Sequence, residues 1–149
     1  MRLFKSLFVL ALLPLQASLA QTAVKWGPAP AIFPKGAKMA VLQGDPGKSD
    51  LFTVRLDMPN GYRVPPHFHP TDEHITVISG NFLVGMGDKI DTKHAISLHN
   101  GQFITAPAQA HHWAVAKGHT VVQVHAIGPF QLSYVNPADD PSRKTVAKK

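Results

Sequence analysis

The chain has 149 residues, enough for one domain with a sizeable core. It contains no cysteine, which excludes disulfides, thiolate metal ligands, thiol nucleophiles and cysteine-attached haem. The formal charge of +6 belongs to the ends: residues 21–140 carry nine Lys and Arg against nine Asp and Glu, so no nucleic-acid partner is expected.

Residues 1–20 read as a secretory signal peptide. Arg2 and Lys5 give the positive start, residues 7–13 the apolar run, and Ser18-Leu19-Ala20 the small residues before a cleavage at Gln21. The run is too short to span a bilayer, and Pro14 follows it. No cysteine is present for lipid attachment. The expectation is a periplasmic or secreted protein with no stable membrane anchor after cleavage.

Residues 21–47 are rich in Pro, Gly and Ala. Pro28, Pro30 and Pro34 prevent a regular helix. Residues 39–42 suit a short strand, stopped by the turn cluster Gln43-Gly44-Asp45-Pro46-Gly47. This segment reads as an N-terminal arm around a β-domain at residues 48–136.

The pattern changes at Leu51. Residues 51–56 form a strand stopped by Pro59-Asn60-Gly61. Residues 74–79 form another, and Gly80-Asn81 is a tight hairpin signal that pairs residues 82–86 back with it. Residues 88–93 are a polar turn, followed by strands at residues 95–98, 102–105, 112–116 and 120–127, and a last one at 131–135. Short strands with turn signals at close spacing argue an all-β sandwich or barrel. The basic tail, residues 137–149, reads as disordered.

The chemistry concentrates between Gly61 and Gly80. His67 and His69 are two residues apart, so on a strand both imidazoles face one side. Pro70-Thr71-Asp72 turns the chain, and Glu73 opens the next strand. Two nitrogens and a carboxylate oxygen converging from adjacent strands make a divalent-metal site of the N/O type. A metallo-β-lactamase-like use of His67, His69, Asp72 and His74 fails on spacing, and the chain is short for that fold.

Gly61, five residues, His67-x-His69, three residues, Glu73, six residues and Gly80 resembles the first motif of the cupin superfamily, with every position filled. The second motif is similar to residues 101–116, with Gly101 and Pro107 in place and His112 at the ligand position. Two positions depart from it. Gln109 stands where the family has glycine, which supplies a φ > 0 conformation that glutamine rarely adopts, and Ala116 stands where it has asparagine.

The resemblance implies a cupin-type double-stranded β-helix, a jelly-roll barrel. It implies one divalent transition metal (Fe, Mn, Ni, Cu or Zn) held by His67, His69, Glu73 and His112, with Glu73 also the candidate catalytic group. His111 takes the place of His112 if the preceding turn slips by one residue. If His112 points inward, so do Ala114 and Ala116, while His111, Trp113 and Val115 point outward. The two alanines leave either a small-molecule cavity or close packing. Glu73 facing inward brings Ile75 and Val77 with it. Phe68 faces away from the metal, Asp72 reads as a solvated turn residue, and His74, His94, His99, His119 and His125 read as structural or exposed.

Similar cupins include dioxygenases, decarboxylases, isomerases and lyases, and also non-catalytic sensors. Two readings follow: a metal-dependent enzyme acting on a small oxygenated molecule, or a module that binds a metal or small ligand. A small-molecule partner and a homodimer are what the resemblance implies.

Overall fold

Apolar and polar residues alternate along most of the chain, and the strands follow that alternation. In residues 51–58, Phe52, Val54, Leu56 and Met58 are buried, while Leu51, Arg55 and Asp57 reach solvent in whole or part. The computed structural model describes residues 23–146, so the expected signal peptide at residues 1–20 lies outside the described residues. In chain order the strands are β1 (Gly27–Pro28), β2 (Lys38–Gln43), β3 (Leu51–Met58), β4 (Arg63–Phe68), β5 (Glu73–Ser79) and β6 (Asn81–Met86). They continue with β7 (Ile96–His99), β8 (Phe103–Ala106), β9 (His112–Ala116), β10 (Thr120–Ile127) and β11 (Ser133–Tyr134).

Two antiparallel sheets face each other. One has the order β1-β2-β3-β10-β5-β8, the other β11-β4-β9-β6-β7. From β3 to β6 the chain changes sheet at each strand, and it does so again from β7 to β11. This is a double-stranded β-helix of the jelly-roll kind. Its core joins Phe52, Val54, Leu56, Ile75, Val77, Val122 and Val124 of the larger sheet to Val64, Phe82, Val84, Ala114 and Ala116 of the smaller.

The expected hairpin at Gly80-Asn81 is corrected. β5 pairs with β10 and β8, whereas β6 pairs with β7 and β9. Gly80, at φ 91°, turns a corner between the sheets, where a β-carbon would strike the backbone at His119 and Thr120. The turn signal was sound, but a local signal does not choose a strand's partner.

The arm contributes β1 and β2 to the larger sheet, with β2 paired to β3. Its middle is tied to the barrel by two tyrosines. Tyr62 Oη donates to the Pro34 carbonyl at 2.6 Å and Tyr134 Oη to the Ile32 carbonyl at 2.8 Å. Burial pushes both hydroxyls well above the ordinary tyrosine range. Phe33, between the two anchored carbonyls, is 6% exposed and belongs to the core.

At the other end, residues 137–146 differ from the disorder expected of them. A 3₁₀ turn at Pro137–Asp139 is capped by Asn136, whose side chain accepts from Ala138 N. A short helix, α1 (Pro141–Val146), follows. The Asp140 carboxylate accepts from Ser142 N at 2.9 Å, an N-cap arrangement with proline in the first turn.

Candidate metal centre

Four side chains converge inside the barrel near one end. β4 carries His67, and His69 lies just beyond its end. β5 begins with Glu73 and β9 begins with His112. Register fixes this convergence, because His67 is the cross-strand partner of His112. All four residues are buried, and their ligand atoms lie within 4.8 Å of one another.

Each histidine is oriented by its backbone. The Nδ1 atoms of His67, His69 and His112 face the carbonyls of Pro65 (2.7 Å), Gln131 (2.7 Å) and Ala110 (2.9 Å). A carbonyl only accepts, so each Nδ1 carries the hydrogen, and in the neutral ring Nε2 keeps its lone pair. The Nε2 atoms of His69 and His112 each lie 3.5 Å from Glu73 Oε2 and have no hydrogen-bond partner. A buried polar atom without a partner costs about 1–3 kcal/mol, so a fold that keeps two side by side is shaped for something else. Imidazole Nε2 and carboxylate oxygen are donors for first-row divalent metals, and backbone-tethered Nδ1–H groups are the usual orienting contacts of such ligands. The residues present fit a metal ion.

Electrostatics agree with mutual dependence. Burial holds His67 down at about 3, and the neighbouring His112 and His69 rings add to the effect. Burial also pulls on His69, but the Glu73 carboxylate outweighs it and raises its pKa. Burial opposes the Glu73 charge, yet His112 and His69 hold its carboxyl well below the usual carboxylate range.

Two hydrogen bonds lock the halves of the site together. Gln109 N donates to the His69 carbonyl at 2.8 Å, and Ala108 N donates to Asp72 Oδ1 at 2.8 Å. Gln109 achieves this in the left-handed region, at φ 62°. The glutamine therefore adopts the conformation that glycine would supply, and the turn before His112 keeps its shape.

His111 does not replace His112. It is half-exposed, faces Asp88 at 2.6 Å and stacks on Phe68, whose ring points away from the cluster. His74 points away from Glu73, with Nδ1 3.0 Å from Thr105 Oγ1 and its ring stacked on Phe103. Asp72 is exposed, as expected, but it braces a turn as well as meeting solvent. Ala114 and Ala116 join the core cluster with Ile75 and Val77. Trp113 and Val115, on the reverse face, are nonetheless buried at 1% and 7% exposure, because Trp113 lies against Gly85 of β6.

Two cavities adjoin the cluster. A void of about 30 Å³, lined by the four polar side chains and by apolar residues including Ala114, has room for an ion or a water. A larger cavity of about 230 Å³ lies toward the arm, and Phe33, Leu56, Glu73 and Val124 line both. Sequence reasoning missed the larger cavity's arm residues and Phe130, whose ring sits 5.3 Å from that of His69, because no local motif marks them.

Residues 54–128 match the family described as Cupin domain. The chain is a cupin. No curated protein sequence matches it. This cupin is similar in structure to the polyketide cyclase RemF from Streptomyces resistomycificus, at 21% identity and a TM-score of 0.67, over 85% of this chain and 89% of that one. It is also similar to an RmlC-like cupin from Shewanella frigidimarina NCIMB 400, at 17% identity and a TM-score of 0.56, over 70% and 83% of the two chains. An oxalate oxidase shares the fold at 20% identity and a TM-score of 0.53, over 73% of this cupin and 60% of the other chain.

Proposed function

We propose that this cupin holds one divalent transition metal through His67, His69, Glu73 and His112 and acts as a metal-dependent enzyme on a small oxygenated molecule. One observation carries the reading: buried Nε2 atoms without partners face a buried carboxylate, with their rings fixed by backbone carbonyls. The metal, when bound, supplies a Lewis-acidic or redox-active centre. The chain supplies orientation and apolar surroundings. Pro65, Gln131 and Ala110 hold the imidazoles in one tautomer. Ile75, Val84 and Val124 give the void apolar walls, which lower the local dielectric and strengthen interactions of charge inside it. Glu73 faces both the void and the larger cavity, so it is the group that a substrate in that cavity meets.

A second reading is a cupin that only binds a metal or small ligand. It is favoured by the larger cavity's lining, where Glu73 is the sole ionisable side chain among the described residues. Turnover separates the two. The metal-loaded protein is assayed for oxygen uptake and product formation across small hydroxylated and keto compounds, beside Glu73→Ala. Turnover that disappears in the variant supports the enzyme, whereas tight metal and ligand binding without turnover supports the binding protein. The chain is further proposed to be exported on residues 1–20, so N-terminal sequencing of the mature protein is expected to begin at Gln21.

A further inference from the structure

We infer that the compound this site accepts is a flat, largely apolar ring of about ten non-hydrogen atoms carrying a neutral hydroxyl. The inference deepens the proposed function and rests on that reading for the ring's role as substrate.

The cavity toward the arm decides the class. Its volume is about 230 Å³, which at protein packing density corresponds to roughly ten non-hydrogen atoms. Met39, Phe52, Val54 and Leu56 are among its apolar walls, and among the described residues Glu73 is the one charged residue lining it. A sugar or a polyol entering there would lose its water and find one acceptor for many hydroxyls, at a cost for each group left unpaired. An apolar ring loses nothing comparable.

The walls also favour a flat shape. Phe33 and Phe130 lie nearly parallel, with centroids 5.8 Å apart and an interplanar angle of 6°, and Phe52 meets Phe130 edge-on at 86°. These three rings offer faces and edges to an aromatic guest. Phe33 is not a free flap. The carbonyls on either side of it accept from Tyr134 and Tyr62, so its ring is held as a fixed wall between the cavity and the void.

Glu73 sets the polar requirement. The Glu73 side chain accepts hydrogen bonds through an oxygen not engaged by the metal, so a hydroxyl donor is favoured at this end of the ring. An anion loses more than a neutral hydroxyl on leaving water for the apolar walls of this cavity.

The probe is 2-naphthol, with 2-naphthoate and glucose as comparisons. Calorimetric titration is run on the full protein as purified, and metal content is measured on the same sample. One saturable site for 2-naphthol is expected, with 2-naphthoate at least ten-fold weaker and glucose undetectable. Met39→Trp, which fills the cavity, is expected to weaken 2-naphthol at least ten-fold with metal content unchanged. Methyl NMR of the wild-type protein gives a reading independent of that variant's folding: 2-naphthol is expected to shift the Val54, Val124 and Met39 methyls. Absence of saturable 2-naphthol binding overturns the inference, as do unshifted cavity methyls or preferred binding of glucose or 2-naphthoate. A sample that holds one metal but no 2-naphthol overturns this inference alone. A sample that binds 2-naphthol but takes up no metal upholds the cavity assignment and overturns the proposed metal site.

Discussion

Replacing Glu73 by glutamine separates a metal ligand from a structural charge. The carboxylate is buried, with Oε2 at 3.5 Å from the Nε2 atoms of both His69 and His112. Glutamine matches its volume, and its amide can donate to one of those unpartnered nitrogens. The metal-free variant is therefore expected within about 1 kcal/mol of the parent, since one unsatisfied acceptor gains a partner while the attraction to His69 is lost. Metal binding responds differently. At a free metal concentration of 100 times Kd, binding stabilises the parent by about 2.7 kcal/mol. Loss of a charged ligand weakens affinity by at least about 100-fold, judged against the 10–100-fold typical of outer contacts. The same metal concentration then yields only about 0.4 kcal/mol. For a domain of this size, the rise in Tm on adding metal is expected to fall from roughly 5–11 °C to about 1 °C. Thermal unfolding with and without metal, for both proteins, measures all four values. An undiminished metal increment in Glu73→Gln would refute the ligand role. A metal-free loss of several kcal/mol would instead make Glu73 the ion-pair partner of His69.

Acidity should act on the site with two signs. His69 has a raised folded pKa, so its contribution to metal-free stability is full below the unfolded value of 6.5 and is lost as pH rises through the folded value. Metal needs the same nitrogen deprotonated, so the metal increment in Tm is expected to grow from about pH 6 to 8, as thermal scans at fixed metal would record. His67, held at about 3 against 6.5 unfolded, costs stability progressively as pH falls through that interval. Gln109→Gly should stabilise the protein by about 0.5–1 kcal/mol in denaturant titrations, because relief of the left-handed conformation outweighs the added backbone freedom. Gly85→Ala should cost about 1–3 kcal/mol and change the tryptophan emission, because the new methyl group collides with the Trp113 ring.

The site was legible where its residues are close in sequence. His67, His69 and Glu73 follow strand periodicity and one turn, and His112 follows from a second turn whose glycine is missing but whose geometry survives in Gln109. Partners remote in sequence were not legible. The Gln131 carbonyl that orients His69 lies 62 residues away, and Phe33 reaches the site from an arm whose prolines announce only that it is not a helix. Pairing failed at β5 and β6 for a related reason: Gly80-Asn81 specifies a turn, while the sheet each strand joins depends on neighbours that arrive much later in the chain. Alternation placed Trp113 and Val115 on the outward side of β9, as found, but it assigns sides and not cover, and Trp113 finds its cover on Gly85.

The most direct test of the metal centre is elemental analysis of the purified protein beside a His67→Ala/His69→Ala double variant. About one equivalent of a first-row divalent metal in the parent and none in the variant is the expected result. Absence of metal from the parent after reconstitution with iron, manganese, nickel, copper and zinc, each in turn, would contradict it.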